Sequence, residues 1–127
     1  MTPPMYQRVR NYFDDAGLLS GLTPQILIWS DSGDLSESFI VFRPNGGTAI
    51  KHGLGSERYV TVDVIGAKGK NAFTASAVES IIDYVQQNPM TDNCVGYLEN
   101  LGGVPTPIPT DEGRLVFRLQ FVATFGD

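Results

Sequence analysis

The segment Gly66-Ala-Lys-Gly-Lys-Asn71 has the residue types of a phosphate-binding turn. In a phosphate-binding loop, backbone N–H groups surround the phosphates, a lysine reaches them, and a following Ser or Thr holds magnesium. Here only two residues separate the glycines, and an asparagine follows the second lysine. The segment is therefore too short to enclose a diphosphate, and we interpret it as a basic turn whose Lys68 and Lys70 can meet an acidic partner. A nucleotide-binding enzyme that uses this turn is the alternative.

The chain offers few other reactive side chains. His52 is the only histidine and Cys94 the only cysteine. Structural zinc sites usually need about four such ligands, and the G-x-S-x-G motif of a nucleophile elbow is missing. We therefore predict no catalytic residue, no metal site and no cofactor. We expect His52 to lie on the surface, and Cys94, which precedes an apolar strand, to be a small buried hydrophobic residue.

Length and composition favour one globular domain over residues 1–127. Of the 127 residues, 42% are hydrophobic and 18% are charged, close to the values of ordinary globular domains. No apolar run approaches the ~18 residues of a membrane-spanning helix, and the first residues lack the features of a secretory signal, which favours the cytoplasm. The net charge of −5 argues against a protein that wraps nucleic acid, although DNA could slide past such a surface.

Hydrophobic periodicity predicts two helices and five strands in the order α-β-β-β-α-β-β. The helices are expected over about 3–16 and 73–87, and the strands over about 25–30, 38–43, 58–65, 95–99 and 115–125. Runs of strands between helices indicate the α+β class. We therefore expect an antiparallel or mixed sheet of four to five strands with two helices packed on one side.

The last strand has the clearest pattern in the chain. One of its faces is apolar throughout and is predicted to pack into the core: Leu115, Phe117, Leu119, Phe121, Ala123 and Phe125. The other face is mixed, because Arg118 and Gln120 stand between Val116 and Val122. We expect Arg118 and Gln120 to face solvent or to contact another subunit.

Two segments are too long for ordinary connections. The first covers 45–57 and is rich in glycine, and the second covers 102–113 and alternates proline with other residues. Alternating prolines favour an extended, semi-rigid arm that can reach a neighbouring subunit; a mobile surface loop is the alternative. The candidate contact residues in the two segments are Gly46, Gly47, Lys51, His52, Pro105, Pro107, Ile108 and Pro109.

These elements together resemble a known family. A short helix and a hairpin come first, followed by the strand Arg58-Tyr-Val-Thr-Val-Asp-Val-Ile-Gly66 and a helix over about 76–87. The chain ends in Gly113-Arg-Leu-Val-Phe-Arg-Leu-Gln-Phe-Val-Ala-Thr-Phe125. From about residue 5 to the end, the chain resembles the tail terminator proteins of long-tailed phages and prophages, the minor tail protein U type.

The resemblance implies a structural protein, not an enzyme. It implies a homo-hexameric ring that caps the tail tube, stops tube polymerisation and offers a surface for head joining. The implied partners are further copies of the chain, the major tail tube protein and a head-completion or neck protein, with DNA only passing through and no membrane. Assembly would occur in the host cytoplasm, with a final place in the virion tail. Another neck or tail-completion protein of similar build is the remaining alternative.

Overall fold

The computed structural model describes residues 3–49 and 55–125. Its two helices are α1 (Met5–Asp15) and α2 (Asn71–Gln87). Its strands are β1 (Thr23–Ile26), β2 (Phe39–Gly47), β3 (Ser56–Ile65), β4 (Tyr97–Leu101), β5 (Ile108–Pro109) and β6 (Leu115–Phe125). The α+β class and the order of elements are confirmed. The two-residue strand β5 is an addition, within the proline-rich segment that we interpreted as a connection.

The strands form one mixed sheet in the order β1-β2-β3-β6-β4. β1 runs parallel to β2, and the other neighbours pair antiparallel. β3 borders β6 along one side, while β4 and β5 both pair with the other side of β6. β1 therefore lies at one edge of the sheet, and β4 and β5 lie at the opposite edge.

The first strand is shorter and earlier than its sequence predicts. We expected a strand over about 25–30, but β1 ends at Ile26. Leu27 has a φ of 71°, which residues other than glycine rarely adopt. The apolar run that resembles a strand in the sequence therefore leaves the line of β1 after Ile26, and Trp29 packs back on Phe39 of β2.

Both helices pack on the same face of the sheet. The core residues of α1 are Met5, Val9 and Phe13, and those of α2 are Val78, Ile81, Ile82 and Val85. They meet the even-numbered valines of β3 and the odd-numbered apolar residues of β6, as the alternation predicts. The Phe13 ring contacts Phe42 and Phe121 edge-on, at centroid distances of 5.7 and 5.6 Å. We call this side the helix-covered face.

The opposite side of the sheet, the open face, has no helix against it among the described residues. A small apolar cluster of Phe39, Val41 and Ile65 lies at one end, with Trp29 and Val116 packed against it. Further along this face, the central strands carry the polar and charged residues Thr61, Asp63, Arg118 and Gln120, together with the buried Val122. The open face therefore leaves strand side chains accessible to other molecules.

Candidate functional site

An ion-paired cluster occupies the middle of the open face. The Asp63 side chain is only 3% exposed, although no helix covers it. Arg118 shields it from one side, and its Nε and Nη2 donate to the two Asp63 carboxylate oxygens at 2.9 and 3.2 Å. Arg43 donates from the other side through Nη1. Asp63 thus bridges two guanidinium groups, and the cluster carries a net charge of +1.

Strand register brings these three residues together. Asp63 lies directly opposite Arg118 in the β3–β6 pair, and Arg43 lies diagonally from it on β2, opposite Thr61. Cross-strand neighbours on one face are close enough for such pairing. The hydrogen bonds that Arg118 donates to Asp63, followed by the negative charge of Asp63, raise the pKa of Arg118 above its usual value. Arg118 remains 56% exposed, so it can still contact a partner.

A polar cleft of about 290 Å³ continues from this cluster. Gln120 accepts hydrogen bonds from the Thr61 hydroxyl at 2.9 Å and from the Asn45 amide at 3.1 Å. Arg118 and Gln120, both predicted contact residues, therefore lie together. Asp63, Arg43, Thr61 and Asn45 were missed by the sequence analysis. The cleft can recognise carboxylates or amides of another protein, and it holds no paired nucleophile and base.

The glycines of the β2–β3 hairpin lie in a different place. Gly46 and Gly47 line a cleft of about 310 Å³ between the hairpin and the start of α1, together with Met5 and Arg58. A Cβ at Gly47 would lie 2.3 Å from the Glu57 carbonyl oxygen, so only glycine fits there. The predicted contacts Lys51 and His52 lie outside the described residues.

The basic turn of Lys68 and Lys70 follows β3, at the end of the sheet opposite the β2–β3 hairpin. Both lysines are exposed, and the Lys70 carbonyl accepts hydrogen bonds from the Thr74 backbone and hydroxyl at 3.0 and 2.8 Å. A Cβ at Gly66 would lie 2.1 Å from the Thr74 hydroxyl. Close packing against α2 therefore explains the first glycine of this turn without any phosphate.

The proline-rich segment pairs with its own chain. Ile108 and Pro109 form β5 against Val116 and Leu115, and both are exposed. Pro105 and Pro107 are half-buried beside it. The segment thus reaches the start of β6, and the turn that follows β5 brings Gly113 beside the Lys68 side chain of the basic turn.

Two residues outside these surfaces differ from expectation. Cys94 is exposed, so its predicted burial is wrong. The Asp92 carboxylate accepts from the Cys94 and Val95 N–H groups, each at 2.9 Å, and this turn places Val95 in the core instead. Arg114, which the sequence analysis passed over, is fully buried.

Arg114 ties the segment after β1 to the sheet. It donates to the carbonyl oxygens of Glu37 at 2.7 Å, Asp34 at 2.8 Å and Gly66 at 3.2 Å. Its guanidinium also lies over the rings of Trp29 and Phe39. The partners of Arg114 are backbone groups distant in sequence, so no side-chain pattern predicts them. The one available signal is the polar run 110–114, which precedes an apolar strand.

The fold and the open face together define an α+β domain with a polar, ion-paired sheet surface suited to binding protein. The sequence matches the model of the phage tail termination protein family over residues 2–127. The chain therefore belongs to that family, whose members are structural proteins of the phage tail. A search of curated proteins gives no match to the chain. Across 3–49 and 55–125, neither helix is long and apolar enough to cross a membrane.

Proposed function

We propose that copies of this chain form a ring on the end of the finished tail tube. The ring stops further addition of tube subunits and gives the head-completion or neck protein a surface to join. Six copies form the ring, as in the terminators that the sequence resembles, and it assembles in the host cytoplasm. The observation that carries this proposal is the family match, which extends over residues 2–127.

The surfaces of the chain support this role. A ring needs contacts that repeat from one copy to the next, and the sheet has two different edges and an open face for such contacts. The contact candidates are Arg118 and Gln120 on the open face, Gly46 and Gly47 at the end of β2, Lys51 and His52 in the sequence between β2 and β3, Lys68 and Lys70 in the basic turn, and Pro105, Pro107, Ile108 and Pro109 near β5. The net charge of −5 per copy would let DNA pass without being held.

Tail length tests the proposal directly. Tails assembled without this chain should continue to grow beyond their normal length and should fail to join heads, because nothing blocks the tube end. Adding the purified chain during assembly should restore a uniform length, measured by negative-stain electron microscopy.

The same measurement separates a terminator from another neck or tail-completion protein. Tails of normal length that stay headless without the chain would indicate a joining role alone. Tails of normal length that also join heads in the absence of the chain would exclude both the terminator role and the joining role.

A further inference from the structure

The edge strand β1 ends in three exposed apolar residues. Ile26, Leu27 and Ile28 follow one another at the sheet edge, and Ile28 is 74% exposed. We call these three residues the apolar turn. Large aliphatic side chains in a row at a sheet edge are a liability for a monomer and a common feature of contact surfaces.

The backbone of the apolar turn is strained. The Ile28 N–H donates to the Ile26 carbonyl at 2.9 Å, and Leu27 between them has a φ of 71°. A tight turn with this positive φ is rare, and such a conformation is unfavourable for a residue with a side chain. The strain persists only where the surroundings hold the turn in place.

Several contacts hold the apolar turn rigidly. The Gln25 amide closes the loop, donating to the Ser30 carbonyl and accepting from the Ser30 N–H, each at 2.9 Å. The Arg43 Nε donates to the Leu27 carbonyl at 2.9 Å. Trp29 packs edge-on against Phe39 at a centroid distance of 5.8 Å. A rigid, preorganised surface loses little entropy when it binds a partner.

The opposite edge of the sheet is also apolar and exposed. Tyr97 and Leu101 of β4, Val104 of the following segment and Ile108 of β5 are all exposed, and Leu101 is 47% exposed. We call these four residues the β4–β5 edge. β1 is the first strand in the sheet order, and β4 and β5 lie on the far side of β6. The β4–β5 edge and the apolar turn therefore lie at opposite edges of the sheet.

We propose that the apolar turn of one copy docks on the β4–β5 edge of the next copy. This inference rests on the proposed ring, and it names the contact that joins neighbouring copies. A contact between two different surfaces of the same chain repeats head to tail, as a ring requires. One chain that carries apolar surfaces at both ends of its sheet meets this requirement without any other partner.

Charge favours the same pairing. Arg43 lies at the base of the apolar turn and is partly exposed. Glu99 is exposed on β4, and its pairing with Val122 places it on the open face. When two copies join with their open faces on the same side, Arg43 of one copy lies near Glu99 of the next. Opposite charges at the rim of a contact set its register and select the right partner.

Site-directed cross-linking tests the contact. In a Cys94→Ser background, Ile28→Cys and Leu101→Cys each supply one thiol, and a short bis-maleimide joins thiols that lie close together. Each variant alone should give no dimer, because like surfaces do not meet. A mixture of the two should give one cross-linked dimer and nothing larger. The double variant should give a ladder of higher oligomers.

Phe73→Cys provides the matched control. Phe73 lies on α2 and is 42% exposed, close to the exposure of Leu101, so it reports random collisions. Dimer in the Ile28→Cys variant alone would mean that like surfaces meet, and this would overturn the head-to-tail contact. A mixture no more cross-linked than the Phe73→Cys control would overturn it as well, and would leave the tube protein as the candidate occupant of the apolar turn.

The tail-length assay keeps this contact separate from the proposed function. If cross-linking fails while the wild-type chain still restores normal tail length, only the contact is wrong. If the mixture cross-links while the wild-type chain has no effect on tail length or head joining, the contact between copies stands and the terminator role fails.

Discussion

The helix-covered face and the open face of the sheet are built from the same strands but are stabilised differently. On the helix-covered face, alternate residues of β3 and β6 pack against both helices and exclude water. On the open face, the intervening residues of the same strands hold one buried carboxylate between two partly exposed arginines. Packing makes the first face insensitive to what surrounds the protein. Ion pairing neutralises the buried carboxylate of the second face within the chain, while the two arginines stay accessible to a partner.

The largest effect should come from emptying the helix-covered face. Phe121→Ala removes a fully buried ring that contacts Phe13, so we expect the free energy of unfolding to fall by about 3–5 kcal/mol. Urea denaturation measures the change. Thr124→Ala, an exposed position on the same strand, is the control and should change it by less than about 0.5 kcal/mol. Equal losses in the two variants would contradict the division into two faces.

A smaller loss should follow from breaking the ion-paired cluster at its centre. Asp63→Asn removes the charge that both arginines share, and hydrogen bonds to charged groups contribute roughly 1.5–3 kcal/mol. We expect a loss of about 2 kcal/mol, because the freed guanidinium groups can still reach water. Urea denaturation again measures the loss in the free energy of unfolding, with Glu99→Gln as the exposed control. A loss as large as that of Phe121→Ala would show that the open face is as buried as the core.

The two arginines of the cluster should differ from each other. Arg118→Met leaves Asp63 paired with Arg43, and Arg118 is 56% exposed, so the loss should be about 1 kcal/mol or less. Arg43→Met should cost more, because Arg43 also holds the Leu27 carbonyl. The free energies of unfolding of both variants, compared in one denaturant series, give the order. The reverse order would mean that the strained turn does not depend on Arg43.

The smallest effect should appear at alkaline pH, on the helix-covered side. Burial, followed by the hydrogen bond with Tyr84, raises the pKa of Tyr12 from 10.0 to about 12. The folded protein therefore holds this proton more tightly than the unfolded chain does. The stabilisation is complete below pH 10.0 and is lost as the pH rises towards about 12.

Urea midpoints across this pH range measure the loss. Tyr12→Phe removes the titrating group, so its midpoint should fall less steeply with pH than that of the wild type. Identical pH profiles for the two proteins would show that folding does not raise the pKa of Tyr12.

Much of the helix-covered face could be predicted from the sequence. The period-two alternation of 115–125 identifies the core residues of β6, and the helical spacing of Val78, Ile81, Ile82 and Val85 identifies the packed side of α2. All of these except the partly buried Leu115 and Phe125 lie in the core. Periodicity succeeds here because each residue faces the same way as its neighbours two or four positions along the chain.

The open face could be predicted only in part. Arg118 and Gln120 were identified because they interrupt an apolar strand. Asp63, which pairs with Arg118, and Arg43, which pairs with Asp63, were not identified, because their pairing depends on strand register. The exposed turn at Leu27 was missed for a related reason, since its apolar residues have the composition of a strand while hydrogen bonds to Arg43 and Gln25 turn the chain.

The order of helices and strands and the apolar side of each could be predicted from the sequence, because these properties depend on residues a few positions apart. Which charged groups meet and which apolar residues stay exposed depends on how distant segments pack together. Asp63 and Arg118 are 55 residues apart in sequence, and Arg114 binds the Glu37 carbonyl 77 residues away. Only the pairing of strands brings such groups together, and no local pattern of residue types encodes that distance.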